Sequence, residues 1–497
     1  MCEESTWATS AHQVELTDIH HPAIDIHVAM TALELAETHA FLGSQLDPAL
    51  GQRISDELDR RCFTPYLNRH DFKWLHSSQQ RSVNNWNAIC NGGVVGAAIY
   101  MEPNPARLAE IIARAARSLD DYLASFDEDG GSSEGPGYWD FGFGYYTVLA
   151  QLLEQRTEGR INFLMGDLIR KIATYPLRTR LSPNRHLNFS DCQTRVHYSY
   201  ALLAFLAGRL DLPDLAALAN ERPGRNRRIN LTWSLRTLFW QVPADVPPQC
   251  VSSAHDWFGG IMWMVARFNP KDANALVLAA KGGHNGEMHN HNDVGTFIVH
   301  INGESLIADI GRGRYTQDYF GPRRYEHLAN SSLGHCVPAA NGYLQQVGEK
   351  YRAVLLGHEV TAQKDLLHLE MKDAYPREAG LASLQRRLTL FRDLPLGRVE
   401  VEDSFRFEQG PGMLESVLIT FADVELGADK VVICGQQGAL RVDFAPKLVR
   451  VRVEMHRGVD LPKGPVNIHR VVFALLTPVR EGQICLGITP LNKNSVA

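Results

Sequence analysis

The feature that most constrains the fold is a change of hydrophobic period part-way along the chain. Over 105–126, Leu108, Ile111, Ile112, Ala115, Leu119, Tyr122, Leu123 and Phe126 recur at the i, i+3, i+4, i+7 spacing of a helix with one apolar face. Pro105 suits its first turn, and Gly130-Gly131 is expected to stop it. The same period runs over 27–42, 54–67, 84–100, 138–155, 161–173, 196–210 and 231–240, so the first half reads as an all-helical layer with short links. Farther on the period becomes two. Val449, Val451, Val453 and Met455 alternate with Arg450, Arg452, Glu454 and His456, as in a half-buried strand. Phe297, Val299 and Ile301 lead into Asn302-Gly303 and then Leu306 and Ala308, a hairpin signal. Further strands are expected over 384–391, 398–407, 415–421, 431–434 and 471–476. Pro243, Pro247 and Pro248 cluster at the change, which predicts a helical domain over 1–245 and an antiparallel β domain over 246–497.

The 497 residues, 44% hydrophobic and 21% charged, are enough for two large cores. A net charge of -6 excludes a protein that coats nucleic acid through a global positive field. No P-loop or strand-coupled GxGxxG is present, which argues against nucleotide chemistry. Eight cysteines lie singly with no CxxC pair, the usage of a reducing compartment. The first residues, Met1 to Trp7, show neither a basic n-region nor an apolar h-region, and no run of about 18 apolar residues occurs. A cytoplasmic location is therefore expected, or a periplasmic or secreted one where a leader has been removed, with no membrane partner.

Three segments concentrate chemistry. The first, 284–293, holds His284, Glu287, His289, His291 and Asp293 in ten residues. If His289 and His291 lie on extended backbone, the period of two aims both imidazoles to one side, for a metal, an acid/base pair, or one of each. His291 with Asp309 and His335 would make a two-histidine, one-carboxylate zinc set. The competing reading is of hydrogen-bonded loop histidines. The second segment, Gly-rich and acidic over 127–137, runs into Tyr138, Trp139 and a train of aromatics, which fits either a substrate loop or an ordinary helix entry. The third, 82–93, places Asn84, Asn85, Asn87 and Asn91 around Trp86 on an otherwise apolar helix. Asparagine is a poor helix-interior residue, so these are chosen for hydrogen bonds, whether caps, a packed network or a site.

Together these segments resemble the heparinase II/III-like polysaccharide lyase family, whose pattern is an (α/α) toroid followed by an antiparallel β-sandwich with an HxHxD segment opening the β half. Here that segment reads His289-Asn290-His291-Asn292-Asp293, followed by Asn302-Gly303-Glu304 and Asp309-Ile310-Gly311. The resemblance is specific over 282–345 and is supported by NNWN at 84–87 and EGPGYW at 134–139. It implies that His289 is a catalytic histidine and Tyr138 the catalytic tyrosine. His291, Asp309 and His335 become ligands of a structural zinc. Asn84 or Asn85 takes the place of the group that neutralises the substrate carboxylate.

The implied reaction is β-elimination in a uronate-containing oligosaccharide or polysaccharide. Removing the C5 proton, alpha to a carboxylate, builds a second negative charge in that group and needs donors to stabilise it, a task an asparagine amide can serve. A tyrosine with its reference pKa of about 10 needs nearby positive charge to act as a base. Polyanion binding by an acidic protein must be local. Arg312, Arg314, Tyr315 and Tyr319, with Arg323, Arg324 and Tyr325 beyond them, supply guanidinium groups for carboxylate or sulfate and rings for a sugar face. Trp86 joins the substrate-binding candidates. His186, Asp191, Arg195 and His197 are lesser candidates for the same cleft, which is expected to draw on both halves of the chain. A uronyl C5-epimerase using the same proton abstraction and a noncatalytic carbohydrate-binding protein are the alternatives.

Overall fold

The computed structural model describes residues 1–13, 18–78, 82–242, 250, 252–316 and 318–491. Pro243, Pro247 and Pro248, and with them the expected 245/246 boundary, lie outside the described residues. The chain divides into two compact units. One comprises Met1–Ser132, Tyr138–Ala173 and Tyr198–Gln249; the other comprises Ser133–Gly137, Thr174–His197 and Cys250–Ala497. Two short pieces of the helical half of the sequence thus belong to the second unit.

The first unit is helical. Its helices include Ile26–Leu42, Asn85–Met101, Pro105–Leu123, Tyr200–Leu210 and Leu231–Phe239. Asparagines start three of them: the side chains of Asn84, Asn104 and Asn230 accept from Trp86 N, Ala106 N and Trp233 N, satisfying amides that the first turn leaves without partners. Asn85–Met101 is buried along most of its length. It tolerates this because Gly92 and Gly93 let neighbouring backbone in: a methyl group at Gly93 would sit 2.3 Å from Ala29 O, and one at Gly92 would sit 2.7 Å from Tyr145 O.

Several expected boundaries shift. Pro105–Leu123 stops at Ala124, well before Gly130-Gly131, because the Ser125 and Phe126 amides turn back onto the carbonyls of Tyr122 and Leu123. The expected 54–67 helix is interrupted by a π-helical turn over Asp59–Phe63. The expected 161–173 helix is Asp167–Arg178 instead. Asn162 Oδ1 accepts from Leu164 N and holds the preceding residues in a turn. A helix over Pro213–Ala219 gave no signal in the periodicity. Among the described residues, no helix is long and apolar enough to cross a membrane.

The second unit is built from antiparallel sheets. One has eight strands, from Val354–Val360 at one edge to Asp423–Leu426 at the other. A second has five, from His255–Phe258 through Trp263–Arg267, Val277–Lys281 and Phe297–Ile301 to Glu304–Ile307. A third has four and includes Val449–Leu461 paired with Gly464–Leu475. The expected hairpin is present: Ile301 pairs with Glu304 across Asn302 (φ 52°) and Gly303 (φ 78°), both positive as a type I′ turn requires. Met264, Leu278, Phe297, Leu388, Val401, Leu418, Phe473 and Ile484, drawn from the three sheets, share one hydrophobic core. That core is the rigid base on which the histidine loop stands.

Candidate active site and metal-ligand set

The HxHxD loop leaves strand Val277–Lys281 and returns as strand Phe297–Ile301. Its last acid is an anchor. Lys281 Nζ, fully buried, donates to Asp293 Oδ1 at 2.7 Å and lies 3.3 Å from Glu287 Oε2. Burial, against the pull of Lys281 and with Asp293 close by, pushes the Glu287 carboxyl up to about 7. Gln345 ties the loop down further, accepting from Asn285 Nδ2 and Val294 N and donating to Val294 O. Ser332 Oγ donates to Asn292 O.

The two histidines between these anchors do not both lie on extended backbone. His289 is in a turn at φ 55°, so a period of two cannot bring the rings together. A carboxylate from elsewhere does so. Asp191, 2% exposed, accepts from His289 Nδ1 at 3.0 Å, His291 Nε2 at 3.0 Å, Tyr319 OH at 2.5 Å and Arg324 Nη2 at 2.8 Å. Two donors on each oxygen fill the accepting capacity of a carboxylate. Burial alone would raise this acid, but the bonds from His289 and His291 and the charge of Arg324 hold it well below the usual carboxylate range. Because an ionised carboxylate only accepts, Asp191 sets both tautomers: His289 carries its proton on Nδ1 and His291 on Nε2. The His289 side chain is 13% exposed, and its Nε2, itself buried, lies 3.5 Å from Glu134 Oε2 of the Ser133–Gly137 segment.

Behind His289 lies a fully buried set. Ligand atoms of His291, Asp309 and His335 fall within 4.8 Å of one another. Burial lowers the pKa of His291, leaving it neutral, and its Nδ1 lone pair has no hydrogen-bond partner among the described residues. His335 Nε2 donates to Ala329 O at 3.1 Å, which turns Nδ1 toward Asp309 Oδ2, also at 3.1 Å. A lone pair facing a carboxylate repels, so a proton or a cation belongs between them. Burial opposes that proton, yet the Asp309 charge wins and raises the His335 pKa, while His335 in turn lowers that of Asp309. The donor types, the burial and the unused His291 nitrogen all fit a zinc-like ion.

The arginine and tyrosine run after Asp309 divides. Tyr319, expected to pack on a sugar face, is instead buried, its hydroxyl spent on Asp191 and on accepting from Asn330 Nδ2 at 3.0 Å. Arg324 is likewise turned inward to Asp191. Arg314 is exposed and paired with Asp460 at 3.3 Å. Arg312 lies over the Tyr315 ring at 3.9 Å, and both stay partly exposed. A cavity of about 580 Å³ in the same unit is lined by Asp309, Asn188, Thr194, Arg185, Arg195 and Lys463, three of them cationic.

In the helical unit, Tyr138 sits in the first turn of helix Pro136–Arg156. The Arg228 guanidinium, buried against the Phe141 ring, interacts electrostatically with Tyr138, and burial lowers its own pKa to about 10. Sequence reading missed Arg228 and ranked Asp191 too low; only the cluster of ionisable residues around 186–197 pointed toward the latter. Asn84 is the helix cap. Asn85, 1% exposed, lies against Gly142, where a methyl group would sit 3.0 Å from Asn85 Cβ. Gly142 is four residues after Tyr138 and so on the same helix face. Trp86 is half-buried, its ring edge-on to His12 at 4.7 Å.

Residues 253–471 match the family model described as Heparinase II/III-like, C-terminal. No curated protein matches the chain in sequence. In fold it is similar to a heparan sulfate lyase HepC mutant from Pedobacter heparinus, with TM-score 0.67 and 13% identity over 94% of this chain and 68% of that one. It is also similar to the chondroitin AC lyase of Streptomyces coelicolor A3 in complex with chondroitin sulphate, with TM-score 0.55 and 11% identity over 97% and 69%. A Paenibacillus xanthan lyase aligns with TM-score 0.55 and 11% identity over 99% and 56%. At these identities the likeness is one of fold.

Proposed function

We propose that the protein is a polysaccharide lyase that cleaves uronate-containing acidic glycans by β-elimination. The observation that carries this reading is the Asp191 hub, which holds His289 by Nδ1 and turns its Nε2 edge toward Glu134 of the EGPGYW segment. In this reading the helical unit is an (α/α) toroid and the β unit an antiparallel sandwich, the architecture the family resemblance implies.

In the reaction the C5 proton passes to a base, its electron pair forms the C4–C5 double bond, the C4–O4 bond breaks, and O4 takes up a proton. His289 and Tyr138 share the two transfers. The configuration at C5 decides which of them takes the first proton. Arg228 supplies the positive charge that favours the Tyr138 phenolate. Asn85 is the better candidate for neutralising the carboxylate, because Asn84 Oδ1 is committed to capping its own helix while Asn85 packs beside the Tyr138 face. Arg312 and Tyr315, with Arg185, Arg195 and Lys463, are the proposed contacts for an acidic glycan.

His291 Nδ1, His335 Nδ1 and Asp309 are the groups that would hold zinc. When bound, the ion would neutralise Asp309 and brace the His289 loop; elimination consumes no hydrolytic nucleophile. The test is a screen of defined acidic oligosaccharides read by ultraviolet absorbance and product mass. An absorbing, unsaturated product of lower mass is expected. Inversion at unchanged mass would make the enzyme an epimerase, and binding without turnover would make it a glycan-binding protein; either overturns the lyase reading.

A further inference from the structure

Away from the His289 loop, the second unit holds another pair of histidines that the elimination chemistry does not use. His255 opens the edge strand of the five-stranded sheet, and His358 lies on Val354–Val360, the edge strand of the eight-stranded sheet. Their Nε2 atoms meet at 2.9 Å. Two imidazoles in that contact share one proton or one cation, since protonating both would bring two positive charges together. The surroundings set which nitrogens face each other. Asp365, buried on the neighbouring strand Lys364–Glu370, points Oδ1 at His255 Nδ1 from 3.7 Å while its Oδ2 accepts from Arg392 Nη2 at 2.6 Å. With a carboxylate on that side, the His255 proton belongs on Nδ1, which frees Nε2 as a lone pair toward His358. Trp257 stacks on the His358 ring at 4.2 Å and 18°, fixing its plane.

From this geometry we propose that His255 and His358 form a second transition-metal site, with Asp365 as the orienting carboxylate. With metal–nitrogen bonds of about 2.0–2.1 Å, two nitrogens 2.9 Å apart subtend about 90° at the ion. That angle is close to the cis angle of tetragonal or octahedral coordination, the geometry of Ni²⁺ and Cu²⁺, and imidazole nitrogen suits both ions. Water completes the coordination. The His255 side chain is 14% exposed and His358 is half-buried, so an ion can reach the pair from solvent.

The test titrates Ni²⁺ into the metal-free full chain by calorimetry, comparing the parent with His255→Gln and His358→Gln. Glutamine can keep a hydrogen bond across the pair but is a poor ligand. Each variant is expected to lose one equivalent of bound Ni²⁺, or to bind it at least about tenfold more weakly, while any equivalent removed by His335→Ala stays in place. Uptake unchanged in both variants would overturn the proposal. Loss with His335→Ala but not with His358→Gln would overturn it too, without touching the zinc reading of the other set. Anomalous diffraction at the nickel edge from soaked crystals of the parent tests the same point without a variant. A peak within bonding distance of both Nε2 atoms is the expected result, and its absence refutes the site.

Discussion

Two regions of this molecule looked equally polar in sequence, the asparagine helix at 84–91 and the histidine loop at 284–293, and the structure uses them in opposite ways. In the helix the polar atoms of Asn84, Asn87 and Asn91 are taken up by the fold, while Asn85 is the proposed partner of a substrate carboxylate. Asn87 Nδ2 finds Trp74 O, Leu75 O and Ser118 O at 3.0 Å, Asn91 Nδ2 reaches Asn87 O and Ser118 Oγ, and Tyr66 OH donates to Asn91 Oδ1 at 2.6 Å. Asn84 is a cap. In the loop Asp191 takes one nitrogen from each histidine and leaves His291 Nδ1 without a hydrogen-bond partner among the described residues. A buried polar network and a candidate site are therefore told apart by which atoms keep hydrogen-bonding capacity, not by the density of polar residues.

The comparison breaks most visibly at the proposed acid/base groups. His289→Ala and Tyr138→Phe are each expected to lower kcat by about 100- to 10,000-fold with little change in melting temperature, measured as the rate of absorbance rise on a cleaved oligosaccharide. Full turnover by Tyr138→Phe would move the role to another tyrosine and detach the EGPGYW segment from the chemistry.

Asp191→Asn tests the hub itself. The amide can donate as well as accept, so the tautomers of His289 and His291 are no longer imposed. A fall in kcat of about 10- to 100-fold, a displaced pH profile and weaker zinc binding are expected together. Lost stability with a normal pH profile would reduce Asp191 to a structural acid.

On the other side of the comparison, Asn87→Ala removes a buried donor shared by Trp74 O, Leu75 O and Ser118 O. It should cost about 1–3 kcal/mol in denaturant unfolding and leave kcat of the folded enzyme unchanged. A catalytic defect there would show that Asn87 does more than pack.

The smallest effect separates histidines from one another. His300, buried between Ser182 Oγ and Ser305 Oγ, is pushed down to about 3 by burial, with Arg185 adding to it. Because the unfolded chain binds that proton near pH 6.5 and the folded one only near 3, stability is complete above about pH 6.5 and declines below it. One such residue removes about 1 kcal/mol by pH 5.5. Burial also lowers His186 and His291, so the slope should be shared, and His300→Gln should flatten it in unfolding curves taken from pH 7 to 5.

Much of the fold was legible in periodicity because helix and strand each place side chains by local geometry. The strand Arg398–Phe407 and the Asn302-Gly303 hairpin emerged as expected, the latter because two residues at positive φ leave few alternatives. Helix ends were less legible: the stop at Ala124 and the late start at Asp167 depend on backbone and side-chain bonds in turns that carry no period. Met455 falls on the apolar register of its strand yet is 48% exposed, since the partner layer, not the alternation, decides what is covered.

By itself the sequence determined the switch from helical to strand period and the residue types at 284–293, because both are written within a few turns of chain. Tertiary structure decided what those residues do. Asp191 lies 98 and 100 positions from the two histidines it orients, and His335 lies 26 from the acid it faces. The tautomer of an imidazole and the direction of its pKa shift are set by whatever packs against it, and no local pattern carries that information.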